Sequence, residues 1–147
     1  MVFKNEKELE RFILKKCRLA LIKAQEEVYR IIKDFLRQYY LDYDPTIYER
    51  TYQLLQSLVQ SRVVSDGKGY KAEVYFNYEG LNYTDGANPS GKQVMDAAAV
   101  GLHGAKGLLV MGGEKDISVW NDPIKILDAK AIEILKDMLI AEGIPIK

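Results

Sequence analysis

His103 is the first residue to consider for chemistry, because it is the only histidine among the 147 residues. With Asp85 or Asp96 it could ligate a metal ion, although no cysteine lies nearby to complete the site. The same residues could serve a hydrolase that uses histidine as its base. No second feature of the sequence supports either arrangement. A loop histidine without a catalytic role is therefore favoured, and we expect no enzymatic activity, no metal and no cofactor.

Glycines are concentrated in residues 101–107, which contain three of them in GLHGAKG. This segment lacks the G-x-x-x-x-G-K-[ST] spacing of a phosphate-binding loop and does not follow a clear strand. Residues 79–92 are also rich in turn-forming residues, with three glycines and a proline. Both segments are interpreted as flexible loops, and a loop of this kind can become ordered against a partner.

Tyrosines are concentrated where the first helix is predicted to end, since six of the ten lie between residues 29 and 52. Tyrosine and arginine are enriched at protein interfaces, where the ring buries area and the hydroxyl keeps a polar partner. These rings could form such a surface, or a core corner where the helix meets a sheet. Both alternatives stay open. The residues concerned are Tyr39, Tyr40, Tyr43, Tyr48 and Tyr52, with Arg37 and Arg50 beside them.

The overall charge is zero, but it is unevenly distributed. Residues 1–40 contain ten Lys or Arg and six Asp or Glu, a net charge of +4, and the remaining residues carry −4. A neutral chain is not an obvious nucleic-acid binder. A solvated face with ion pairs is the favoured interpretation of the basic N-terminal run, because Glu6, Glu8 and Glu10 interleave with it. Opposite charge on two parts of a chain suits head-to-tail self-association.

Composition places the chain among globular proteins. Hydrophobic residues make up 48% and charged residues 29%, which excludes disorder along the whole chain. The single cysteine excludes an internal disulfide. No apolar run approaches the roughly 20 residues of a membrane-spanning helix, and the charged N-terminus does not resemble a secretory signal. We therefore expect no membrane association and synthesis in a reducing cytoplasm.

The elements that must position these residues follow from apolar spacing and turn signals. Apolar residues at three-to-four spacing predict one long amphipathic helix over about 5–40, capped by Asn5 with Glu8, with a kinked pair of helices as the alternative. A short helix is predicted at 45–52. A β-hairpin is predicted over about 54–78, with strands 54–64 and 70–78 and a turn at 65–69.

The C-terminal part is predicted to be helical at both ends. A short alanine-rich helix is expected at 93–102, followed by short edge strands at 108–111 and 117–120. The last helix is expected over about 123–142, with Leu127, Ala131, Ile134, Leu135 and Met138 on its buried side and Gly143 ending it. The whole chain, residues 1–147, is interpreted as one α+β domain in which the long helix packs on a small antiparallel sheet.

One segment resembles a known family. The pattern Tyr43-x-Pro45-x-x-Tyr48-x-Arg50-Thr51-x-x-Leu54-Leu55-x-Ser57-Leu58 follows the long helix and precedes the hairpin. It resembles the tail-completion, or head–tail joining, proteins of long-tailed bacteriophages and prophages, which are also called minor tail proteins. Near the C-terminus the Gly/His loop, Trp120 and the helix ending in Gly143-Ile144-Pro145 are similar too. One departure is Tyr52, where many members have glycine.

The resemblance implies a structural virion protein with no catalytic site. Such proteins form a ring in the phage neck, contacting the head-closure or connector protein on one side and the tail tube or tail terminator on the other. DNA would pass through the channel without sequence-specific contact. The protein would be made in the bacterial cytoplasm and reside in the virion at the head–tail interface. The residues implied in interfaces or structure are Tyr40, Tyr43, Tyr48, Arg50, Thr51, Tyr52, His103 and Trp120.

Two other classes of function remain as alternatives. The first is a small intracellular adaptor that binds another protein, and the second is a hydrolase that uses His103. Genes for portal, capsid and tape-measure proteins beside this one would favour the neck protein.

Overall fold

A computed structural model describes residues 2–41, 52–81, 90–99 and 118–147. The fold is α+β and mostly helical, which confirms the predicted class. The described elements are α1 (Glu6–Leu41), α2 (Gln53–Gln56), β1 (Leu58–Gln60), β2 (Val64–Ser65), β3 (Tyr70–Lys71), β4 (Val74–Phe76), a 3₁₀ turn (Tyr78–Gly80), α3 (Gly91–Ala99) and α4 (Asn121–Ala141).

The first helix is continuous over its 36 residues, so the predicted single helix is confirmed and the pair of helices is not found. At 1.5 Å per residue it is about 54 Å long. The Asn5 side chain accepts a hydrogen bond from the Glu8 backbone N–H at 2.9 Å, which confirms the predicted cap. The Glu8 carboxylate accepts from the backbone N–H of Lys4 at 2.7 Å, one residue earlier than a capping box requires.

The predicted strand 54–64 is wrong in its first residues, because Gln53–Gln56 form one helical turn. Tyr52 precedes it with φ +57°, in the left-handed region that glycine adopts without cost. The Ser57 hydroxyl donates to the Leu54 carbonyl at 2.7 Å and closes the turn. An apolar pair inside a short run suits a helix as well as a strand, so periodicity could not separate them. The helix predicted at 45–52 falls mostly outside the described residues.

The hairpin is divided into two short antiparallel ladders. β1 pairs with β4, with Val59 opposite Tyr75, and β2 pairs with β3, with Ser65 opposite Tyr70. The predicted strand 70–78 is therefore interrupted between the ladders and gives way to the 3₁₀ turn at its end. In the turn at the tip, the Asp66 carboxylate accepts from the N–H groups of Lys68 and Gly69 at 2.9 and 2.8 Å.

A buried glutamine on α1 holds the hairpin together at the interruption. The Gln25 side-chain amide donates to the carbonyls of Ser61 and Glu73, at 3.0 and 2.8 Å. The two strands are also tied there by Ser61 N–H to the Glu73 carbonyl, and by Glu73 N–H to the Ser61 hydroxyl, both at 2.8 Å. Gln25 thus fixes the hairpin to the middle of the long helix.

The predicted loop 79–92 is wrong at both ends, and residues 82–89 within it lie outside the described residues. Its start belongs to the 3₁₀ turn, and α3 begins at Gly91 rather than at residue 93. Ser90 and Gln93 form a capping box, with side chain-to-backbone hydrogen bonds of 3.3 and 2.9 Å. A Cβ added at Gly91 would lie 2.0 Å from the Tyr78 carbonyl oxygen. Only glycine allows this close contact.

The predicted strand 117–120 is wrong for residues 118–120, which form a non-strand capping segment just before α4. The Ser118 hydroxyl accepts from the N–H groups of Trp120 and Asn121 at 3.3 and 2.8 Å, and it donates to the Ala99 carbonyl at the end of α3. Asp122 accepts from the Ser118 N–H at 2.9 Å. The end of α3 is thereby fixed to the start of α4. The strand predicted at 108–111 lies outside the described residues.

Gly143 ends α4 as predicted. It has φ +84°, and its N–H bonds the Ile140 carbonyl at 2.9 Å. The next N–H, of Ile144, bonds the Leu139 carbonyl at 3.0 Å. These two bonds form a Schellman motif, which satisfies the carbonyls at the helix end.

The hydrophobic core lies at one end of the molecule. It joins the C-terminal half of α1 with the hairpin base and the start of α4, through Ile32, Leu36, Leu58, Phe76 and Leu127. The buried side predicted for α4 is only partly confirmed, because Leu127 is buried, Ala131 is exposed and the others are half-buried.

Candidate functional site

The N-terminal part of α1 and the C-terminal part of α4 form a two-helix arm, here called the helical arm (residues 6–23 and 130–141). α4 packs antiparallel to α1, since Glu142 at its C-terminal end forms ion pairs with both Lys16 and Lys23. Residues 6–15 of α1 extend past this contact. At 1.5 Å per residue this is about 15 Å of helix beyond the end of α4.

Among the described residues, the helical arm encloses no core of its own. The first buried residue of α1 is Ala20, and Leu127 is the last buried residue of α4. Within the helical arm, large apolar side chains remain exposed on both helices, most of all Ile132 at 72% and Ile140 at 55%. In residues 6–23 of α1, four are more than a third exposed, namely Leu9, Ile13, Leu14 and Leu19. Exposed apolar groups of this kind make the arm a candidate interaction surface.

Electrostatic contacts fasten the end of the helical arm. The Glu142 carboxylate receives a hydrogen bond from the Lys23 ammonium and another, at 3.3 Å, from Lys16. The hydrogen bond from Lys23 holds the pKa of Glu142 below its usual range. The ionised carboxylate therefore keeps α4 against α1 at neutral pH.

The tyrosine corner is part core and part surface among its described rings. Tyr39 is buried in the core, Tyr40 is half-buried and Tyr52 is 45% exposed. The Tyr40 ring centroid lies 5.0 Å from that of Tyr52 and 6.0 Å from that of Tyr39. Tyr39 is therefore part of the core, as one of the two interpretations predicted, and an interface role for Tyr52 stays a prediction.

Of the remaining residues that the resemblance implies in interfaces or structure, only Trp120 is described. Its ring meets Phe76 edge to face with centroids 5.8 Å apart, which joins the start of α4 to β4. This places it in a packing role. The other candidates lie outside the described residues, so their proposed roles stay predictions: Tyr43, Tyr48, Arg50, Thr51 and His103.

A cavity of about 380 Å³ opens between α2 and the hairpin, and none of the described residues that line it has a titratable side chain. Within the described ranges, no three His, Cys, Asp or Glu side chains lie close enough to hold a metal ion. No helix there combines the length and apolar character needed to cross a bilayer.

Sequence reasoning missed the features that organise this surface. Gln25 was one polar residue inside a long helix, with nothing to mark it as buried. The incomplete cover of the helical arm was also hidden, because apolar spacing alone predicts a buried stripe along all of α1. The predicted length of the helix, roughly 50 Å at 1.5 Å per residue, was the available signal.

The comparisons with known proteins give one match. The model of the YomN family matches residues 5–140, which is most of the chain. No curated protein and no solved structure matches the chain significantly. The chain therefore belongs to the YomN family, whose name comes from a Bacillus phage or prophage, and it is a phage-related protein.

Proposed function

We propose that the chain is a structural protein of the neck of a long-tailed phage. In this proposal it forms a ring that joins the connector of the DNA-filled head to the tail. Its partners are further copies of itself, the head-closure or connector protein on one side, and the tail tube or tail terminator protein on the other. It is made in the bacterial cytoplasm and ends in the virion, at the head–tail interface.

The observation that carries the proposal is the helical arm. Helices in water owe most of their stability to packing of an apolar face, and neither helix of the arm has that face enclosed. Ile132 and Ile140 on α4, and Leu9 and Ile13 on α1, expose apolar area that a neighbouring subunit would cover. A ring supplies such a neighbour to every subunit.

Charge distribution supports a head-to-tail contact rather than a two-fold one. Residues 1–40 carry +4 and the rest of the chain carries −4. A heterologous interface places different surfaces of adjacent subunits against each other, so the positive part of one copy can meet the negative part of the next. Such contacts close into a ring when the rotation between subunits allows it.

The proposal is tested by the mass of the protein in solution. Light scattering is measured over a concentration series, with and without the neighbouring connector protein. We expect assemblies several times the 16.8 kDa monomer, formed alone or when the connector is added. A monomer at every concentration in both conditions would contradict the proposal.

A matched pair of variants assigns the assembly to the helical arm. Ile132→Glu places a charge on the arm at a side chain that is 72% exposed, and Val64→Glu does the same on the hairpin at one that is 53% exposed. Both should stay folded, because neither side chain is buried. We expect Ile132→Glu to prevent assembly and Val64→Glu to leave it intact.

A further inference from the structure

Five basic residues form a line along one side of the helical arm. They are Lys4, Lys7, Arg11, Lys15 and Arg18, at successive spacings of three, four, four and three residues. Four of them lie on α1 and Lys4 lies just before it. Side chains three and four residues apart share one face of a helix, so these side chains lie in a row, here called the basic stripe.

The basic stripe continues the face of α1 that packs against the hairpin. Seven residues after Arg18 comes Gln25, which bonds the hairpin, and seven residues later comes Ile32 in the core. The same face is thus buried in one half of the helix and charged in the other. All five basic side chains are exposed to solvent.

The cations of the basic stripe have no ion-pair partner within the described residues. Other basic residues of α1 are paired, with Arg30 and Arg37 bonding Asp34 and with Lys23 bonding Glu142. Like charges three and four residues apart destabilise a helix. Glu8 and Glu10 lie three or four residues from Lys4, Lys7 and Arg11 and offset part of this repulsion, but they form no ion pair with the stripe among the described residues, so the row keeps positive charge that an external anion can neutralise.

We propose that the basic stripe binds the phosphate backbone of duplex DNA without regard to sequence. From residue 4 to residue 18 the row is about 21 Å long at 1.5 Å per residue. With both strands counted, duplex DNA carries a phosphate about every 1.7 Å of axis, so about twelve lie within this length and those on the side facing the row are enough to meet five cations. Flexible lysine and arginine side chains can each reach one of them.

The arrangement favours DNA over an anionic membrane. A helix that lies on a bilayer buries its apolar face in the lipid. The exposed apolar residues Leu9 and Ile13 lie on the side of α1 away from the basic stripe, as their sequence positions require. Insertion of that apolar side would leave the stripe facing water.

A second copy of the chain is also a poorer match for these five cations, so the head-to-tail contact of the proposed ring uses the exposed apolar side of the helical arm and not the basic stripe. The exposed charges on α4 alternate in sign along the helix, through Lys130, Glu133, Lys136 and Asp137. In the part of the chain that the structure describes, no acidic row of matching length faces solvent. A regular polyanion fits the row of cations better than such a mixed surface.

This inference rests on the proposed function only in its choice of duplex DNA, the polyanion that a phage neck conducts. Binding to DNA is measured on the chain alone, without a connector protein. A failure to bind DNA would not contradict the proposed assembly, and a failure to assemble would not contradict DNA binding.

The test is the salt dependence of binding to a fluorescent DNA duplex of random sequence. If all five cations meet phosphates, log K should fall against log [salt] with a slope of about −4.5. Affinity would then drop about 500-fold between about 50 mM and about 200 mM salt. No binding at the lower salt concentration would overturn the proposal.

A matched pair of double variants assigns the contacts. Arg11→Gln with Lys15→Gln should reduce the slope to about −2.7, because two of the five charges are lost. Lys130→Gln with Lys136→Gln removes the same charge from α4 and should leave the slope unchanged. All four side chains are exposed, and circular dichroism will verify that the variants fold. An equal effect of both pairs would overturn the assignment to the stripe.

Vesicles containing anionic lipid serve as the competing ligand. We expect the chain to bind the duplex and not the vesicles at equal salt. Binding to vesicles without binding to DNA would overturn the proposal in favour of a membrane surface.

Discussion

Gln25 gives the sharpest test of how the long helix positions the hairpin. Its side chain is 8% exposed, and its amide donates to the carbonyls of Ser61 and Glu73. Gln25→Met keeps the length and flexibility of the side chain but removes both donors. The Glu73 carbonyl retains its bond from the Ser61 N–H, whereas the Ser61 carbonyl loses the bond that Gln25 supplies.

The expected cost follows from these two hydrogen bonds. Each contributes about 0.5–1.5 kcal/mol net, so Gln25→Met should lower the free energy of unfolding by about 1–3 kcal/mol. With a urea m-value of about 2 kcal/mol/M, the midpoint of urea unfolding should fall by about 0.5–1.5 M. Gln25→Glu should cost more at neutral pH, because a carboxylate would face two carbonyl oxygens.

Urea unfolding followed by circular dichroism measures the effect. Gln60→Met is the matched control, since Gln60 is exposed on β1 and should leave the midpoint unchanged. If Gln25→Met unfolds at the same urea concentration as the wild type, the buried amide does not hold the hairpin to α1.

Three further predictions concern single positions. Gly91→Ala should destabilise the protein by about 1–3 kcal/mol, because its Cβ would meet the Tyr78 carbonyl oxygen. Gly80→Ala is the control in the same urea assay. It should cost less than about 1 kcal/mol, since nothing lies within 4 Å of its Cβ. Tyr52→Gly should be more stable than Tyr52→Ala by about 1 kcal/mol. Both variants lose the ring, but only glycine adopts φ +57° freely. Equal melting temperatures of the two variants would contradict this. Glu142→Gln should lower stability at neutral pH. The pKa of Glu142 is lowered in the folded state, so its contribution to the free energy of unfolding is present above its unfolded pKa of about 4.5 and disappears as pH falls through the folded value. A stability difference between wild type and variant that stays constant on acidification would refute this prediction.

The regular parts of the fold could be predicted from sequence because their signals are local. Apolar spacing without Gly or Pro defines α1, and Asn5 marks its start. Gly143 marks the end of α4 in the same way. The Asp-Gly-Lys-Gly tip of the hairpin depends on side chain-to-backbone bonds within four residues, so its turn was also predicted correctly.

The errors occur where single contacts, and not a repeating pattern, decide the local structure. Leu54 is apolar in a run that suits a strand, but the positive φ of Tyr52 and the bond from Ser57 make a helical turn. Ser118 was assigned to an edge strand. Its hydroxyl instead caps α4 and bonds the end of α3, which is 19 residues away along the chain. Neither contact leaves a periodic signal.

The candidate site was predicted only in part, for a physical reason. Burial along one face of α1 changes from fully buried at Ala20 to 39% exposed at Ile13, seven residues earlier, although both residues are apolar in one continuous helix. The difference arises from where α4 and the hairpin end, which the sequence of α1 does not encode. The exposure of the basic stripe has the same cause. Its charges lie on a face of α1 that the hairpin covers only nearer the C-terminal end of the helix.

Electron microscopy of particles made without this chain is the most direct test of the neck function. The gene is deleted from the phage or induced prophage that carries it, and the lysate is compared with one complemented by the wild-type gene. We predict DNA-filled heads and separate, complete tails in the deletion lysate, and joined virions after complementation. Normal numbers of joined virions in the deletion lysate would contradict the proposal.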